Sequence, residues 1–191
     1  MSLWGNDIKP KNLTDAEKKE VYATKQGWVR EAGSTLSGNG NTGADPEVLV
    51  AISNLSANMG AANITEIEFV TTSFDKSDGG NIDVRVRFNE PVTVTGTPRV
   101  SITNGNQGSG SGRGPHLANY LSGSTTNELL FRCTIAAANA ATNANDVLVI
   151  GANALALNSG TIKDTGQSGT NATITSSASI GTAAGSITVA A

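Results

Sequence analysis

Glycine, threonine, asparagine and serine fill 81 of the 191 positions, a mix that favours turns, caps and strands over helix interiors. The net charge is −3 and the isoelectric point about 5.1, so the basic surplus that neutralises nucleic-acid phosphates is missing. A single cysteine (Cys133) and a single histidine (His116) exclude an intrachain disulfide and remove most zinc and Cys–His catalytic recipes.

The opening stretch MSLWGNDIKPKN has no apolar signal core, and no run reaches the roughly 18 apolar residues of a membrane span, so neither a secretory signal nor a membrane partner is expected. Residues 1–59 hold both tryptophans, Trp4 and Trp28, and are richer in charge than the rest. Thr14-Asp15-Ala16-Glu17 has capping-box form, which fits a helical turn over 15–20 or, equally, a solvated charged loop. Val21–Thr24 and Trp28–Glu31, joined through Lys25-Gln26-Gly27, read as a hairpin. The continuous apolar run of Glu47-Val48-Leu49-Val50-Ala51-Ile52 predicts a third strand buried on both faces. A unit of this size cannot bury much by itself. Its apolar residues need cover from the rest of the chain, a second copy or another protein, and an assembly contact is the favoured reading. Trp4, Val21, Tyr22, Trp28, Val48, Leu49, Val50 and Ile52 are the expected attachment residues.

Small polar residues over 53–63 predict a linker, with 60–63 as the boundary between residues 1–59 and 64–191. Ile64–Phe69 opens a second unit. Ile82, Val84, Val86 and Phe88 alternate with Asp83, Arg85 and Arg87, predicting a strand with its apolar side on a core and its charged side in water. Val92–Val94, Arg99–Ile102 and His116–Leu121 follow as strands, and Leu129, Phe131, Cys133 and Ile135 alternate inward. Val147–Ile150, a region through Ile162, Ala172–Ile174 and Ser186–Val189 complete the pattern, the last expected to pair within the sheet or with a neighbour because an uncharged free edge is a sticking hazard. Many short strands at 8–12-residue spacing predict an all-β fold: a small β-rich attachment unit followed by an immunoglobulin-like sandwich.

Two resemblances sharpen these expectations. Phe88-x-Glu90-Pro91-Val92-x-Val94-Thr95-Gly96-x-Pro98, Tyr120-x-Ser122-Gly123-Ser124 and Leu157-Asn158-x-Gly160-Thr161-Ile162-x-Asp164 resemble bacterial Ig-like domains, modules of bacterial surface proteins and phage virion proteins. MSLWGN, Val21-Tyr22-Ala23-Thr24-x-x-Gly27-Trp28-Val29 and Glu47–Ile52 resemble small structural proteins of tailed phages that infect marine bacteria, cyanobacteria in particular. The resemblances imply a non-enzymatic virion protein, a capsid decoration or cement protein assembled in the host cytoplasm, with major capsid protein or other virion proteins as partners and a homo-oligomeric state. The alternative is a carbohydrate-binding or adhesive module at a tail, fibre or cell surface. Such a module needs exposed aromatics for a host-surface glycan, and only Phe74 and Tyr120 are candidates. Asp75, Asp78, Asp83 and Asp146 stand at expected strand ends, where calcium binds some sandwiches, but their spacing suits ordinary turns and no cofactor is expected. The carboxylate pair Glu66/Glu68 is expected on a solvent face, Cys133 in the core and His116 in a solvated loop; nothing pairs a nucleophile with a base, so no enzyme activity is expected.

Overall fold

A computed structural model describes residues 13–34, 40–105 and 114–191. Trp4 and the tip of the Gly/Ser loop around Arg113 lie outside the described residues. The chain is all-β, with β-sandwich-like sheets and a few short helices.

The capping box forms. The Thr14 hydroxyl accepts from the Glu17 amide and the Glu17 carboxylate accepts from the Thr14 amide, starting α1 (Asp15–Lys19). The hairpin is β1 (Val21–Thr24) against β2 (Gly27–Arg30), paired Val21 with Arg30 through Thr24 with Gly27. Gly27 sits at φ +136°, and a Cβ there would fall 2.0 Å from the Val50 carbonyl oxygen. That carbonyl belongs to β3 (Glu47–Ala51), which lies antiparallel on the other side of β2. β3 departs from expectation. It is an edge strand with Val48 48% exposed, because nothing covers its outer side among the described residues. The register slips between Val48 and Val50, leaving Leu49 as a bulge.

The 53–63 stretch is packed, which corrects the linker reading. α2 (Leu55–Asn58) turns Leu55 and Met59 onto Val21, Ala23 and Trp28, closing a small apolar core for the N-terminal unit. Ala62 is buried in the second unit's core, its amide donating to Asp164 Oδ2, and the Asn63 amide donates to Asn89 Oδ1.

The second unit contains β4 (Ile64–Phe69), β5 (Phe74–Asp75), β6 (Gly80–Thr95), β7 (Arg99–Gly105), β8 (His116–Ser122), β9 (Thr126–Ile135), β10 (Val147–Ala156), β11 (Thr161–Asp164), α3 (Ala178–Ala183) and β12 (Ser186–Ala190). Their pairing follows the order β11-β6-β9-β8-β7-β10-β12-β5, with β4 also on β6. Val92–Val94 is thus no separate strand but the continuation of β6 past Pro91, where the pairing with β9 shifts between Arg87 and Val92. Ile82, Val84, Val86, Phe88, Leu129, Phe131, Cys133 and Ile135 point inward as their alternation requires and meet Leu148, Ile150, Ile187 and Val189 in one cluster. Each large side chain of this set contributes roughly 1.5–3 kcal/mol on leaving water. The tail edge is covered, since β12 pairs with β10 and, in parallel, with β5. α3 was not anticipated. Its start is set by Ser177, whose hydroxyl accepts from the Ile180 amide.

Candidate functional site

The two apolar clusters, one per unit, remain separate. What lies between them is polar, and it begins with the bulge in β4. Pairing slips between Ile64 and Glu66, which brings Glu66 opposite Arg87. β1 runs against β6 at this place, so the charged side of β6 that the alternation assigns to water is roofed by the N-terminal unit. Arg87 and Glu66 are consequently buried, correcting the expectation that both face solvent.

Arg87 is the hub. Its Nη1 donates to Glu66 Oε2 at 2.7 Å, its Nη2 to Glu31 Oε1 at 3.1 Å, and its Nε to Glu128. Glu66 also takes Lys19 Nζ at 2.7 Å, while Arg85 Nε donates to Glu68 at 2.6 Å and its Nη1 lies 3.6 Å from Glu128. On the other side of the N-terminal sheet edge, Arg30 pairs with Glu17 and Glu47. Beside the hub opens a cleft of about 610 Å³ lined by Glu20, Tyr22, Glu31, Asn127 and Glu128 among others.

The carboxyls of this seam are driven apart in acidity. Burial first, then the charge of Glu128, push Glu31 up to about 8, with Arg87 opposing. Glu128 is held below its ordinary value: burial works against this, but the hydrogen bond and charge of Arg87, the charge of Arg85 and a hydrogen bond from Glu31 prevail. Glu66 is also lowered, burial again being outweighed by Lys19 and Arg87. Burial, then Glu31 and Glu128, raise the Tyr22 phenol. At neutral pH the Glu31–Glu128 pair therefore shares one proton beside one guanidinium.

A second buried acid stands at the shift in β6. Glu90 is 0% exposed, and neither carboxyl oxygen has a hydrogen-bond partner. Burial, then the charge of Asp164, raise it to about 8. Asp164 itself accepts from the amides of Ala62 and Gln167.

The expected attachment residues divide. Val21 and Trp28 are buried in the N-terminal unit's own core, with Leu49, Val50 and Ile52 packed at its margin. Tyr22 turns to the opposite face and lines the cleft. Val48 alone of the described set is exposed, at 48%. Of the two aromatic candidates for glycan stacking, Phe74 is buried in the second core, and Tyr120 is partly buried in a T-shaped contact with Phe131, its oxygen accepting from the Ser124 amide. His116 is not a solvated loop residue. It begins β8, buried, with Nε2 3.1 Å from the Thr142 hydroxyl, and burial lowers its pKa against the pull of Asp146. Cys133 is buried, and burial raises its thiol. Asp75 caps its own turn through Ser77, Asp83 binds Arg132 by two 2.7 Å bonds, and Asp146 accepts from Asn104 and the Asn143 amide. Among the described residues no group of three or more His, Cys, Asp or Glu side chains is arranged to hold a metal ion. No described helix is long and apolar enough to cross a membrane.

No protein-family model matches the chain, and comparison with the curated proteins and with the solved structures finds no match. The functional reading accordingly rests on the chain's own residues. Sequence reasoning missed the Arg87 seam and Glu90. The one available signal was the crowding of like and opposite charges at Glu66, Glu68, Arg85 and Arg87 on strands bound to pair.

Proposed function

We propose that this chain is a non-enzymatic virion structural protein, a capsid decoration or cement protein that docks through its N-terminal unit and displays an Ig-like sandwich outward. The observation that carries the reading is the β3 edge: in a unit whose other apolar strands are covered, Val48 is left in water on a strand with one side unpaired. Exposed edges invite strand addition by a partner chain. The bulge at Leu49 shortens the straight stretch available and leaves Val48 as the apolar anchor. The resemblance of Val21–Val29 and Glu47–Ile52 to tailed-phage structural proteins falls on the residues that build this sheet. The adhesive reading is the less favoured, because Phe74 is buried and Tyr120 is partly buried against Phe131.

The test is co-sedimentation of the full-length protein with phage heads lacking it. Val48→Lys is expected to abolish labelling, while Leu121→Lys, at an equally exposed position on β8, leaves it intact. Equal labelling by both variants would remove the β3 edge from the docking surface.

A further inference from the structure

We infer that the N-terminal unit is latched to the sandwich by the Arg87 carboxyl cluster, and that proton loss from Glu31 opens this latch about a pivot at residues 59–63. The unit touches the sandwich in two places of different character. At one, the α2 end is held by uncharged contacts: the Met59 carbonyl accepts from Gln167 Nε2, and the backbone and hydroxyl of Ser56 sit against Gly166. Chain continuity through Ala62 and Asn63 fixes the same end, both amides being bonded to sandwich side chains. At the other, the tie is polar: Arg87 Nη2 donates to Glu31, which keeps its proton in the closed state, and Lys19 pairs with Glu66.

No apolar cluster spans the seam: at the polar end Val29, buried beside Tyr22 on the sheet face turned to the sandwich, is the apolar side chain whose burial opposes separation. The groups facing Glu31 there are Glu20 from the end of α1, Tyr22 from β1, Arg87 from β6 and Glu128 from β9; Glu66 and Glu68 from β4, with Lys19 and Arg85, complete the cluster. Arg87 already serves Glu66 and Glu128. With Glu31 protonated, its carboxyl donates to Glu128 and the two share the guanidinium. With Glu31 ionised, that hydrogen bond is lost and the two carboxylates repel in a partly dehydrated place, where such repulsion is strongest. Burial and the Glu128 charge place that ionisation just above neutrality, within reach of ordinary buffers.

The experiment follows the full chain from pH 6 to 9.5 by small-angle X-ray scattering, with far-ultraviolet circular dichroism on the same samples and the Glu31 side-chain carboxyl carbon titrated by NMR. The expected result is a rise in radius of gyration that tracks the Glu31 midpoint near pH 8 while the dichroism spectrum stays constant. Glu31→Gln cannot ionise and is expected to keep the low-pH dimensions throughout. Glu128→Gln removes the repelling partner, leaves Glu31 paired with Arg87, and is also expected to remain closed at pH 9.5. A wild-type radius that does not change across this range would overturn the inference, as would opening of both variants alongside the wild type.

Discussion

Glu90 offers the most direct test of how this fold handles charge. Its carboxyl is sealed from solvent with no hydrogen-bond partner and lies near Asp164, so the folded protein holds it protonated up to about pH 8. In the unfolded chain it ionises near its ordinary value of 4.5. Because the folded pKa is the higher one, the folded state holds the extra proton between the two values. Stability is therefore full below about 4.5 and is lost as pH rises toward 8. At about 1.36 kcal/mol per pKa unit, the loss is roughly 3 kcal/mol at pH 7 and approaches 5 kcal/mol above pH 8. Glu90→Gln has nearly the same shape and no titration. Its amide still lacks partners, a penalty of about 1–3 kcal/mol that is independent of pH. Urea denaturation of wild type and variant at pH 5 to 9, followed by circular dichroism, isolates the residue through the difference between the two curves. The protonated wild-type carboxyl bears a like penalty, so the variant is expected to lie near wild type at pH 5 and to become the more stable by several kcal/mol at pH 8 to 9. Taking the difference cancels the contribution of Glu31, which titrates in the same range in both proteins. A difference that stays constant with pH would show that Glu90 is solvated or partnered in the folded state and would refute the reasoning.

Two further expectations concern other parts of the fold. Gly27→Ala forces a Cβ to within 2.0 Å of the Val50 carbonyl oxygen at a left-handed backbone position, so β3 must separate from the hairpin; a loss of about 2–4 kcal/mol, read as a lower melting temperature and altered Trp28 fluorescence, is expected. His116, with its pKa lowered by burial, destabilises the fold as pH falls below its unfolded value near 6.5, and its imidazole proton resonances should titrate with a midpoint below 6.5; a midpoint at or above that value would place the ring in water.

What the sequence disclosed was governed by local periodicity. The alternations Ile82–Phe88 and Leu129–Ile135 announce both a strand and its inward face, and the capping box around Thr14 and Glu17 announces a helix start, because each of these signals is complete within a few residues. The run Glu47–Ile52 misled for a related reason. Continuous apolar character marks a strand, but burial on both faces depends on neighbours that the run does not contain, and β3 found only one. Residues 53–63 look like a linker because their composition is small and polar, yet the two larger side chains among them, Leu55 and Met59, provide the cover that the N-terminal sheet was expected to take from a partner. Beside Pro115, His116 reads as a solvated loop residue, yet it is buried because the 136–145 loop, through Thr142, comes over it.

The same logic explains why the Arg87 seam was the least legible feature. Alternation separates the two faces of a strand, and on β6 it did so correctly: Arg85 and Arg87 lie opposite Val84, Val86 and Phe88. It carries no information about what covers the outer face. That depends on β1 meeting β6, a contact between segments some sixty residues apart whose apolar cores do not touch. An interface of this kind has no hydrophobic pattern to reveal it. It can be recognised only by its electrostatic balance, in which a buried arginine must find carboxylates and buried carboxylates must find cations or keep their protons. Glu66 and Glu128 find Arg87, whereas Glu31 meets the same guanidinium already engaged and keeps its proton. Each unit thus carries one acid that keeps its proton for want of a free cation: Glu31 at the seam, where the energetic consequence falls on docking, and Glu90 inside the sandwich, where it falls on folding.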